Sequence, residues 1–150
     1  MTHTLAVLAL LGTGLIAGVL FAVALSMVPA LLAMPPDRYL YTHQLLGQRW
    51  DPTMPVIVLG SALLSMMLAV LVATGAARVL FGGAALCLFA VAAVSHLANV
   101  PINQQMRAVD PQRIPADWVD PRRRWRAWHL LRTALAVLAL AFNSTAVTLI

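Results

Sequence analysis

The chain has 150 residues, 61% of them hydrophobic and 10% charged, and a mean hydropathy of +0.86. A soluble domain runs near half apolar and about a quarter charged, so this balance points to a membrane protein. All ten basic residues are Arg and neither Lys nor Glu occurs; the arginines lie between apolar runs, which suits lipid headgroups and topology and sets nucleic acid aside.

The first apolar run extends from Leu5 to about Met34. It lacks a basic leader and is too long for a cleaved signal peptide, so a mature spanning helix is expected, tilted or bent near Pro29. Along it Gly14, Gly18, Ala22, Ser26 and Ala30 recur every fourth residue, a small-residue ridge expected to be a packing face. Next comes Pro35 to Pro55, with Leu40, Tyr41, Leu45, Leu46 and Trp50 among polar residues. That pattern suits a short amphipathic helix lying at the membrane interface.

The second span is expected from Pro55 to about Gly75, with a ridge of Ser61, Ser65, Ala69 and Ala73. A tight "GAAR" link leads to the third span, Val79 to about Val100. This span ends in "VSHLANVPINQQMR", where His96, Asn99 and Asn103 share one helical face and Pro101 breaks the helix. Pro101 frees the carbonyl of Leu97, and the two Asn side chains are the expected caps. After a second long link, Gln104 to Ala127, the fourth span runs from about Trp128 to Ile150. Trp118, Trp125 and Trp128 flank it as an expected interfacial belt, and Asn143 and Ser144 are expected at the opposite interface.

These elements describe one all-α domain, a transmembrane four-helix bundle running up-down-up-down, with no internal repeat. Arg38, Arg49, Arg107, Arg113, Arg122, Arg123, Arg124 and Arg126 occupy the two long links, against Arg78 alone on the other side. The positive-inside rule then places the long links in the cytoplasm and both termini outside.

Three of the four histidines, His43, His96 and His129, fall at the long-link end, level with Asn99, Asn103 and Arg132. Arg132 lies inside the fourth span and shares a face with Trp125 and His129. The expectation is a polar cavity at that end. One use is chemistry on a lipophilic aromatic or quinone-like molecule: His96 or His129 as base, and Arg132, Asn99 or Asn103 facing an oxyanion. His43, Tyr41, Trp125 and Trp128 are the candidates for holding the substrate. A second is a transition metal on His43, His96 and His129, although no HxxxH or HxH spacing supports it. The third is a non-enzymatic scaffold or lipid-binding bundle, with lipid as the partner.

The stretches "GTGLIAGVLFAVALSMVPAL", "YTHQLLGQRWDPTMP", "HLANVPINQQM" and "RWRAWHLLRTALAVLAL" resemble the anthrone oxygenase-like family of small four-helix membrane proteins, in the same order along the chain. The most specific element is Asn99-Val100-Pro101-x-Asn103, followed by Trp125, Trp128 and Arg132. The resemblance implies an oxygenase that converts an anthrone to an anthraquinone with molecular oxygen and no organic cofactor. It points to His96, Asn99, Asn103 and Arg132; His129 stands where Asn is expected in many relatives.

Overall fold

The computed structural model describes residues 2–150 except Gly47, Arg49, Asp51 and Ala73, and omits the side chain of Val72. Arg49 of the loop charge count and Ala73 of the second ridge therefore lie outside the described residues. The chain is all-helical. Four helices are long and apolar enough to cross a membrane: α1 (Thr2–Ala33), α3 (Thr53–Leu71), α4 (Gly75–Arg107) and α5 (Arg122–Val147). A shorter helix, α2 (Pro36–Leu46), follows α1. Among the described residues only Gly75 has a positive φ, 53°, which a side chain would resist, and it opens α4 directly after Thr74.

α1 packs on α3 and α5, and α4 packs on the same two helices. One core centres on Ile16, Leu20, Val58, Leu88 and Val91 with Ala84, Ala136 and Ala139 between them; a second, around Phe81 and Leu68, lies toward the chain termini. The small residues let backbones approach. A Cβ on Gly12 would run into Ser61 Oγ, and one on Gly83 would meet the Phe142 ring at 3.1 Å.

Pro55 lies in the first turn of α3, and the two prolines farther inside spanning helices, Pro29 and Pro101, are accommodated rather than helix-ending. In α1 a π turn covers Val23–Met27, and Val28 N–H bonds back five residues to Val23 O, just before Pro29. In α4 the same device covers Ser95–Asn99, with Val100 N–H on Ser95 O, just before Pro101. A proline lacks the donor that an α turn requires, and a wide turn absorbs that mismatch. The expected break at Pro101 is thus a continuous helix to Arg107 with one extra residue in a turn.

The first ridge is corrected. Gly18, Ala22, Ser26 and Ala30 are exposed, and nothing would meet a Cβ on Gly14 or Gly18. The packed face of α1 is Ala6, Ala9, Thr13, Ile16, Ala17 and Leu20. On α3 the expected face does pack: Ser61, Ser65 and Ala69 are buried.

Asn143 is corrected too. It is fully buried, and its Nδ2 donates to Thr13 Oγ1 at 2.9 Å and Ser65 Oγ at 3.1 Å, tying α5 to α1 and α3. Ser144, its neighbour, is exposed. Interhelical hydrogen bonds in membranes contribute about 1–2 kcal/mol. Asn143→Leu should lose about that much, seen as a lower unfolding midpoint in detergent with the helix content of the folded state unchanged.

At the other end Arg122 serves as an external cap. Its Nη1 donates to Leu31 O and Met34 O at 3.3 and 2.6 Å, its Nε to Asp120 Oδ2 at 2.7 Å, and its guanidinium lies 4.9 Å from the Tyr39 ring centroid. The last carbonyls of a helix have no partner within it, so this one side chain joins the ends of α1, α2 and α5. Arg122→Ala should lower thermal stability by about 1–3 kcal/mol, and amides of α2 should exchange faster.

Candidate functional site

At the end carrying the two long connections, α1, α2, α3, α4 and α5 enclose a cavity of about 780 Å³. Its apolar wall comes from α1 (Leu20, Val23, Met27), α3 (Met54, Val58) and α4 (Val91). Its polar wall is Ser95, His96, Asn99 and Asn103 of α4, His129 and Arg132 of α5, and His43 of α2, with Arg107 at the rim. Leu59, Ala93 and Leu97 also border it and are exposed on spanning helices, Leu97 at 75%, so the cavity opens sideways on the apolar belt.

A ladder of rings supports the polar wall. Trp125 stacks on His129, with centroids 5.3 Å apart and planes 13° from parallel. His43 meets Trp125 edge-on at 5.4 Å, and Tyr39 lies 5.7 Å from His43. Two Asn side chains hold Trp125: its Nε1 donates to Asn103 Oδ1 at 3.0 Å, and Asn99 Nδ2 donates to Trp125 O at 3.4 Å. The expected caps of a broken helix thus fasten α4 to α5. Asn99 is 1% exposed and its Oδ1 has no donor among the described residues. The belt reading of Trp125 gives way to this ladder, since Trp125 is buried.

His129 is fully buried and both its ring nitrogens are engaged. Nε2 sits 3.1 Å from Leu20 O, which can only accept. Nδ1 sits 2.9 Å from Arg132 Nη2 and 3.3 Å from Arg132 Nε, which can only donate. These partners select one form, neutral with the proton on Nε2. Its lone pair is given to Arg132, so His129 orients that guanidinium and is not free to take a proton. Arg132 Nη1 donates to Ser95 Oγ at 3.2 Å. All these partners of Arg132 are neutral. Among the described residues no Asp or Glu lines the cavity.

The structure brings His43, His96, Asn99, Asn103, Trp125, His129 and Arg132 to one cavity, with His96 exposed at its edge. Tyr41 and Trp128 do not border it; they are 59% and 38% exposed. The phenol of α2 that turns inward is Tyr39, whose hydroxyl meets Met106 Sδ. Among the described residues no three His, Cys, Asp or Glu side chains are grouped to hold one ion. Sequence reasoning missed Ser95 and the Leu20 carbonyl, which hold Arg132 and His129 in place. Ser95 carries a signal in hindsight, as a small hydroxyl beside His96; a backbone carbonyl carries none.

An all-helical membrane bundle with a cationic cavity at one end is the class defined by this geometry. A family model described as anthrone oxygenase matches residues 44–142, two thirds of the chain. The chain belongs to that family. No curated protein and no solved structure matches it.

Proposed function

We propose that the protein is a membrane oxygenase that converts a lipophilic anthrone-like or quinone-like aromatic in this cavity. The observation that carries the reading is Arg132: a guanidinium fixed by neutral partners, in a cavity with no carboxylate among its described lining residues, is arranged for negative charge that arrives with a ligand or develops on it. An anthrone has an acidic benzylic CH₂ whose conjugate base is an enolate. In this reading His96 takes the first proton, because His129 has no free lone pair, and the enolate oxygen lies on Arg132. The enolate carbon is itself the reductant of O₂, and addition with return of the proton gives a hydroperoxide. Loss of the second benzylic hydrogen with the distal hydroxide then forms the ketone and one water.

The test is turnover of 1,8-dihydroxyanthrone under ¹⁸O₂ by protein in lipid nanodiscs, read by mass spectrometry. One labelled oxygen in the anthraquinone, formed faster than in empty discs, is expected; a rate equal to empty discs overturns the proposal. His96→Ala should lower the rate by about 10²-fold with little change in fold.

The reading includes orientation. With the arginine-rich connections in the cytoplasm, a cysteine placed at Ala116 of a Cys87→Ala protein should resist an impermeant maleimide in intact cells, whereas one at Thr4 should react.

A further inference from the structure

We infer that the same cavity binds membrane-resident long-chain carboxylates, with the carboxylate on Arg132 and the chain along the apolar wall. The inference rests on the reading of the cavity as an anion-stabilising site and goes beyond it in naming a ligand that the bilayer itself supplies. Charge is the first argument. A guanidinium stays charged across the physiological range, and in a low-dielectric site it is unfavourable until paired. Here its partners are His129 Nδ1 and Ser95 Oγ, both neutral, and the described lining adds Arg107 but no acid.

Geometry is the second. Guanidinium has five N–H groups. Nε–H and one hydrogen of Nη2 serve His129, and one of Nη1 serves Ser95. One N–H remains on each terminal nitrogen, enough for the two oxygens of a carboxylate, the pairing for which Arg is suited. Access is the third. The rim residues Leu59 and Leu97 are exposed on spanning helices, so an aliphatic chain can pass from the bilayer without crossing water. The cavity, about 780 Å³, has the volume to take such a chain.

The experiment is equilibrium binding of radiolabelled palmitate and hexadecanol to the full chain in phosphatidylcholine nanodiscs, with empty discs subtracted, at a mildly alkaline pH where the acid is ionised. The expected result is saturable binding of palmitate about tenfold tighter than of hexadecanol, the preference of a charge-assisted pair. Arg132→Gln should abolish that preference, while His129→Asn, which keeps a donor and an acceptor, should retain most of it. Equal binding of the two lipids, or a preference untouched by Arg132→Gln, overturns the inference. If Arg132→Gln does not fold, Arg132→Lys decides: it keeps the charge without the fork and should lower the preference severalfold, and an unchanged preference overturns the inference. Anthrone turnover is followed in the same discs. Palmitate binding without turnover removes the oxygenase alone; turnover without palmitate binding removes the fatty-acid site alone.

Discussion

Under the proposed oxygenase reading, Arg132→Gln should lower kcat on 1,8-dihydroxyanthrone by about 10²–10³-fold, roughly 3–4 kcal/mol of transition-state stabilisation, and should change KM far less. The anthrone is neutral when it binds, so the ground state gains little from the guanidinium. Negative charge reaches the carbonyl oxygen only as the benzylic proton leaves, and Arg132 is already fixed for it by His129 and Ser95. Preorganised donors act where charge develops, and the neutral amide of the Arg132→Gln variant keeps a hydrogen bond but not the charge. Arg132→Lys should recover part of the rate, because it restores the charge and not the fork. His129→Leu should behave as a weaker version of Arg132→Gln, since it frees the guanidinium to wander without removing it. His129→Asn should be milder still. Steady-state kinetics in nanodiscs reads all four, and a kcat unchanged in Arg132→Gln would remove Arg132 from the reaction.

The spans were legible because each is a long apolar run, and apolar runs of that length have few alternatives. Which face of each run turns inward was not, because lipid-facing and protein-facing side chains are equally apolar. Gly18, Ala22 and Ser26 look on paper like the packed stripe, yet Ala9, Ile16 and Leu20 pack instead. The π turns add a second obstacle. An extra residue in the turn at Ser95–Asn99 shifts every later side chain around the axis. His96, Asn99 and Asn103, read as one face, do all border the cavity, but at unequal depths: exposed, buried and half-buried. Spacing within α5 was readable: Trp125 and His129 are four apart and stack. Partners distant in sequence were not. Nothing in "VDPRRR" says that Arg122 reaches Met34, or in His129 that it holds the Leu20 carbonyl. The resemblance supplied the family, and the matched residues begin at Gln44, so Leu20 on α1 lies outside the part that the family model covers.

Acid should undock α2 from the bundle, with His43 as the trigger. His43 is 7% exposed, and burial, with the charge of Arg107 second, pushes its pKa down to about 4. The groups around it are Tyr39 on its own helix, Arg107 of α4 and Trp125 of α5; none is an acid that would hold a proton on the ring. An undocked His43 titrates near its ordinary 6.5. Between that value and about 4 the undocked form binds more protons than the docked one, so the docked form is stabilised as pH rises. His43 thus contributes its full share above about pH 6.5, and that share is lost as the pH falls toward 4. The displacement corresponds to an effect on the order of 3 kcal/mol, roughly a hundredfold change in the docking equilibrium. Hydrogen exchange of the Pro36–Leu46 amides at neutral pH and near pH 4.5 measures it: protection should fall by that order in the wild type and stay level in His43→Gln, whose amide does not titrate. Because His43 and Leu46 form part of the cavity wall, turnover should fall over the same window. The two histidines then separate by variant. His43→Gln flattens the exchange data and should leave turnover at neutral pH largely in place, whereas His96→Ala lowers turnover and leaves the acid-induced loss of α2 protection unchanged. Equal loss of α2 protection in wild type and His43→Gln would show that acid acts elsewhere in the molecule.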